Sequence, residues 1–217
     1  MAAPILSLAN VNGQEQINIQ VPFGLAGPTV TAVVENQGSL ATISGIPLSA
    51  AQPGVFEYAL NNQLYAAVLH ADYSVVTPSN PARPGEVLLL FATALGAVTP
   101  PVPTNQAGPS SPLSTPIAMP AVTLGGVEQV IEGAFYAPQL ISVYQINFRV
   151  GANVQPGTLD LVISSRASPA KPRSCRWGGV LRWVVGTGRS PDLSLLGNEP
   201  QPRQSAQLPR QDRNPNG

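Results

Sequence analysis

A six-residue pattern occurs twice in this chain and constrains its fold more than any other feature. Gln16-Ile17-Asn18-Ile19-Gln20-Val21 returns as Gln145-Ile146-Asn147-Phe148-Arg149-Val150, an offset of 129 residues (145 − 16). Apolar and polar residues alternate in each copy, with Ile17, Ile19 and Val21 on one side and Asn18 and Gln20 on the other. A period of two belongs to a β-strand with one buried face. The likeness continues downstream. Gly27 precedes Thr29-Val30-Thr31-Ala32-Val33-Val34, and Pro156-Gly157 precedes Thr158-Leu159-Asp160-Leu161-Val162-Ile163. Each copy reads as strand, glycine-containing turn, β-branched strand, which is a hairpin signal. The shared Gln-Ile-Asn and the shared order argue against coincidence.

The surrounding sequence agrees with an all-β fold. The 217 residues include 24 Pro and 20 Gly, which favours short strands joined by turns. Further strands are expected at Val55–Leu60, Leu64–Leu69, Glu86–Thr93, Ala121–Leu124 and Val127–Glu132. The run Glu86-Val87-Leu88-Leu89-Leu90-Phe91 is nearly continuous in apolar residues and suits a strand buried on both faces. No segment carries a sustained apolar period of 3.6. Residues 97–120 hold seven prolines, Pro100, Pro101, Pro103, Pro109, Pro112, Pro116 and Pro120. Proline removes a ladder donor, so this stretch reads as a surface crossover between sheets. The competing reading is a proline-rich docking segment for a partner.

Charge divides the chain. Residues 1–165 carry two basic and eight acidic residues (2 − 8 = −6), and residues 166–217 carry nine and three (9 − 3 = +6). Trp177, Trp183 and the lone Cys175 also fall in the second part. Arg176–Val185 reads as one strand, and disorder is expected from Ser190 onward. Two readings of 166–217 stay open: a stretch translated out of the ancestral frame, or a genuine basic tail.

Candidate chemistry is sparse. His70, Asp72 and Ser74 would share one face of a strand, a conceivable Ser/His/Asp set. Same-face residues on one strand point in parallel, however, so a solvated face is the expected role. No catalytic residue is assigned. One His and one Cys leave no zinc ligand set, and scattered carboxylates do not form a calcium loop, so no metal or cofactor is expected. Gly125-Gly126 reads as a turn and lacks the spacing of a phosphate cradle. The basic tail is spaced and proline-broken, so no nucleic-acid partner is expected. No apolar run reaches 18 residues, so no membrane span is expected. The start lacks a charged segment and a long apolar segment, so no signal peptide is expected.

Ala121 to Ser164 resembles the IPT/TIG type of immunoglobulin-like domain. The likeness is carried by Val122-Thr123-Leu124-Gly125-Gly126-Val127, Tyr144–Val150 and Gln155-Pro156-Gly157-Thr158. Almost all of 1–165 is similar to the Solibacter-type C-terminal domain found at the ends of large exported acidobacterial proteins. That likeness is carried by Gln16–Phe23, Ala51-Gln52-Pro53-Gly54-Val55-Phe56, Asn80-Pro81-Ala82-Arg83-Pro84-Gly85 and Phe91–Pro101. The resemblance implies an exported β-rich module and supplies no catalytic residue.

The repeat offset would put the counterpart of Gly125 before Met1 (125 − 129 = −4), so a fragment of a longer protein is expected. The organisation expected is therefore a partial immunoglobulin-like unit over 1–60 and a connecting hairpin over 61–74. An immunoglobulin-like β-sandwich over 75–165 and a disordered basic tail over 166–217 follow. The function expected is a non-enzymatic structural or adhesion module, extracellular or at the cell surface in its parent protein. Its partner would be carbohydrate, protein or a cell-envelope component. The alternative is a fragment or accessory domain of a secreted hydrolase. Tyr58, Tyr65, Tyr73, Phe135, Tyr136 and Tyr144 would form a binding patch if three or more lay side by side on one exposed face.

Overall fold

A computed structural model describes residues 1–11, 13–165, 168–178 and 181–183. Among the described residues the fold is all-β, with several antiparallel sheets and no helix. The chain opens with two separate hairpins. Strand β1 (Ile5–Val11) pairs with β2 (Gln14–Ile19), and β3 (Thr29–Asn36) pairs with β4 (Ser39–Pro47). The expected first copy of the repeat is thus a strand.

The next two expected strands are each broken. Val55–Leu60 becomes β5 (Gly54–Val55) and β6 (Glu57–Leu60), and Leu64–Leu69 becomes β7 (Gln63–Ala66) and β8 (Val68–Leu69). The breaks fall where the chain changes partner. β6 and β7 pair with each other, whereas β5 and β8 both pair with β9 (Val87–Thr93). Phe56 N donates to Phe91 O at 3.2 Å and Ala67 N donates to Phe56 O at 2.6 Å, which bridges both breaks. In β9, Leu88, Leu90 and Ala92 on one face are fully buried. On the other face Leu89 is buried while Val87, Phe91 and Thr93 are half-buried, so the expected two-sided burial is complete on one face only.

The proline-rich stretch closes on a short ribbon, β10 (Val98–Thr99) with β11 (Thr115–Pro116). β12 (Pro120–Leu124) and β13 (Val127–Glu128) follow, joined by Gly125 and Gly126 at φ 56° and 82°. Two successive positive φ values define the tight hairpin turn that glycine favours. The expected strand Val127–Glu132 switches sheets at Gln129, and β14 (Val130–Tyr136) continues in the other sheet. Gln129 is buried there, donating from Nε2 to Val127 O at 2.6 Å and accepting from Gly151 N at 2.8 Å.

The last strands are β15 (Tyr144–Arg149), β16 (Thr158–Ser165), β17 (Ser168–Gly178) and β18 (Leu181–Trp183). One five-stranded sheet runs β14-β15-β9-β5, with β8 also on β9, and the other runs β13-β12-β16-β17-β18. Leu88, Leu90, Ile146 and Phe148 of the first meet Val122, Leu124, Leu161 and Ile163 of the second in one core.

Two of these strands lie inside the segment expected to be a tail. Where one strand was expected at Arg176–Val185, β17 and β18 are paired as a hairpin. Pro169 and Pro172 fall where the β16–β17 register slips, between Ser165↔Ser168 and Ile163↔Arg173. A slip of this kind is where proline is tolerated in a sheet. Residues 190–217, expected to be disordered, lie outside the described residues.

The repeat is wider than the sequence pattern alone. β3 and β16 each have eight residues and begin 129 apart (158 − 29), and β4 and β17 also begin 129 apart (168 − 39). Burial separates the copies. Ile146, Phe148 and Val150 are 0% exposed, while Ile17, Ile19 and Val21 are 41%, 46% and 59% exposed.

Candidate functional site

His70, Asp72 and Ser74 do not lie on one strand face. Strand β8 ends at Leu69, and the chain folds back at once. His70 N donates to Ser74 O at 2.9 Å and Tyr73 N to His70 O at 3.0 Å, with Tyr73 at φ 66°. Asp72 Oδ1 accepts from both Ser74 N at 2.9 Å and Ser74 Oγ at 2.6 Å. That is an Asx turn, in which a short carboxylate replaces a backbone acceptor. The two bonds from Ser74 hold the Asp72 carboxyl below its ordinary range.

His70 is itself buried and engaged on both sides. Nδ1 lies 2.5 Å from Glu86 Oε1, and Nε2 lies 3.2 Å from the Asn80 carbonyl oxygen. Both partners are acceptors, and a neutral imidazole carries one N–H, so satisfying both requires the protonated ring. Burial pulls the His70 pKa down. The Glu86 bond, the Asn80 carbonyl and the charges of Glu86 and Asp72 together outweigh it, and the net direction is up.

Glu86 arrives through the turn Arg83-Pro84-Gly85-Glu86. Glu86 N donates to Arg83 O at 3.1 Å and Gly85 takes φ 83°. Proline then glycine at the two central positions suits a turn with positive φ at the third residue. The turn also lets Glu86 Oε2 accept from Arg83 N at 2.9 Å. These groups, with Asn80, Pro81 and Pro84, line an open depression of about 510 Å³.

The chemistry available follows from these bonds. The Ser74 hydroxyl donates to Asp72 and His70 is turned toward Glu86 and Asn80, so the three do not form a nucleophile–base relay. Neither imidazole nitrogen presents a free lone pair to the depression. Among the described residues no group of three or more His, Cys, Asp and Glu side chains is placed to hold a metal. No helix of the described residues is long and apolar enough to cross a membrane.

The six aromatics do not gather on one exposed face. Tyr65, Tyr136 and Tyr144 are buried, Tyr58 and Phe135 are half-buried, and Tyr73 is exposed. Tyr58 stacks on Tyr65 with centroids 5.6 Å apart, and its hydroxyl donates to Val76 O at 2.6 Å. Tyr144 donates to Gly96 O, and burial, then the nearby Tyr136, pushes its hydroxyl above the ordinary range.

The proline-rich loop is bonded to the end of the first repeat strand within this chain. Asn105 N donates to Gln20 Oε1 at 2.6 Å, and Phe23 N donates to Thr104 Oγ1 at 2.9 Å. Phe23 meets Tyr136 edge-on with centroids 6.2 Å apart. The Tyr136 hydroxyl accepts from Ser142 N at 2.6 Å and donates to Gln106 O at 3.3 Å. This joint ties the end of the first repeat strand to the main body.

Sequence reasoning found His70, Asp72 and Ser74 but missed Glu86 and Asn80 as the partners of His70. The Pro84-Gly85 turn was the local signal that the chain doubles back before β9. Comparison with protein-family models, curated proteins and solved structures returned no match to this chain.

Proposed function

We propose that this chain is a non-enzymatic structural or adhesion module, the C-terminal part of a larger exported bacterial protein. Its architecture would be one nearly complete immunoglobulin-like sandwich over 75–165, preceded by part of another. Two antiparallel sheets sharing one core support the sandwich. The placement outside the cell is supported by the likeness of Gln16–Phe23, Asn80–Gly85 and Phe91–Pro101 to exported acidobacterial modules. Its ligand class is carbohydrate, protein or a cell-envelope component.

The observation that carries the non-enzymatic part is the engagement of His70. Both of its nitrogens are bonded to fixed acceptors that tie the 70–86 segment together. A general base needs a free nitrogen facing its substrate. The second reading, an accessory or fragment of a secreted hydrolase, is favoured by the open depression beside His70, Asp72 and Arg83.

Assaying the purified chain on chromogenic ester, peptide and glycoside substrates separates the two. No turnover above buffer is expected. Turnover that Ser74→Ala removes while circular dichroism stays unchanged would establish the hydrolase reading instead.

A further inference from the structure

We propose that the outer edge of β2 is a docking site for an extended apolar strand donated by another β-sheet module. The strand would add antiparallel, as β9 adds to β15. The internal repeat supplies the template. β15 has a neighbour on each side, β14 and β9, whereas among the described residues β2 is paired with β1 alone.

Backbone direction identifies which edge of β2 is open. Gln20 N donates to Pro4 O, toward the β1 side. Amides alternate along a strand, so those of Ile17, Ile19 and Val21 face the outer edge. In the second copy Val150 N donates to Glu86 O, toward the β9 side. Val150 is the counterpart of Val21 (150 − 129). The outer edge of β2 is therefore the edge that β15 gives to β9.

Side chains point to the same occupant. Ile146 pairs with Leu90 and Phe148 with Leu88, and all four are fully buried. Their counterparts Ile17 and Ile19 carry the same alternation but are about half exposed. A strand with apolar residues two apart, set opposite Ile17 and Ile19, would reproduce the buried pairs. The edge is lightly protected: residues 14–20 contain no Lys, Arg or Pro, and their single charge, Glu15, lies at one end, outside the Ile17–Val21 stretch. Main-chain bonds would give the affinity and the alternate side chains the selectivity. This site is separate from His70, so the hydrolysis assay and the test below fail or succeed independently.

The probe is a synthetic peptide with the sequence of residues 86–93, flanked by lysines for solubility, titrated into the full chain. Saturable binding is expected. Amide exchange should slow at Ile17, Ile19 and Val21 and not at Gln16 or Asn18. Ile17→Asp with Ile19→Asp should weaken binding at least about tenfold. If the double variant unfolds, the alternating exchange pattern in the unaltered chain decides alone. The proposal is overturned by equal binding of a scrambled peptide, or by no binding at the peptide's solubility limit. It is also overturned if exchange slows at residues 145–150 rather than at 17, 19 and 21. Sedimentation showing a dimer with those three amides already protected would assign the edge to a second copy of this chain instead.

Discussion

Ile17 and Ile146 occupy the same place in two copies of one sequence pattern, so truncating each to alanine isolates the effect of tertiary context. Ile146 is 0% exposed, set between Ala134 and Leu90 on the neighbouring strands. Ile→Ala removes three carbons, about 2.4 kcal/mol of transfer free energy at roughly 0.8 per carbon. The core cannot close fully over the gap, so the expected total is about 3–4 kcal/mol. Ile17 is 41% exposed, beside Leu8 at 70%. Its truncation opens onto solvent and leaves no enclosed cavity. The expected cost is about 1 kcal/mol or less, since the unfolded chain also shields part of that surface. Loss of β-propensity enters both variants similarly and cancels in the comparison. Urea unfolding followed by far-ultraviolet circular dichroism reads the difference. With a slope of about 2 kcal/mol/M, the midpoint should fall by roughly 1.5–2 M for Ile146→Ala and by about 0.5 M or less for Ile17→Ala. Equal midpoints for the two variants would refute the assignment of the core to one copy only.

Two further outcomes concern pH. Glu57 lies on β6 with Oε1 buried and without a hydrogen-bond partner, and burial pushes its carboxyl up to about 7 from 4.5. The folded chain holds that proton more tightly than the unfolded chain, so stability should decline as pH rises from 4.5 through 7. Because the side chain is only partly buried, solvent screening limits the effect to roughly 1 kcal/mol. Glu57→Gln should therefore raise the melting temperature at pH 8 and leave it nearly unchanged at pH 4, and a lower value at pH 8 would contradict this. His70 also has a raised pKa, so the stability it contributes is complete below its ordinary value near 6.5 and is lost as pH climbs through the folded value. His70→Gln should flatten the fall in stability above pH 6.5, measured by thermal melts at closely spaced pH, and an unchanged slope would show that the Glu86 bond contributes nothing.

Much of the main body was legible because alternation and turn chemistry are local. The Gln16 and Gln145 patterns, the apolar run into β9 and the Gly125-Gly126 turn each state their structure within a few residues. The broken strands were not legible. Val55–Leu60, Leu64–Leu69 and Val127–Glu132 read as continuous, and only sheet pairing reveals that each changes partner midway. The site was half legible. His70, Asp72 and Ser74 stand close in sequence, but the acceptors that fix His70 come from Glu86 and Asn80, which the folded loop delivers.

By itself the sequence determined that this chain forms strands, which residues share a face and where tight turns fall. Those properties depend on side-chain period and backbone preference, which act over a few residues. Tertiary structure alone decided which face is covered. Ile17 and Ile146 are the same residue in the same pattern, and one is half exposed while the other is sealed. Burial belongs to the neighbours a strand acquires: β15 lies between β14 and β9 over the opposing sheet, and among the described residues β2 has only β1.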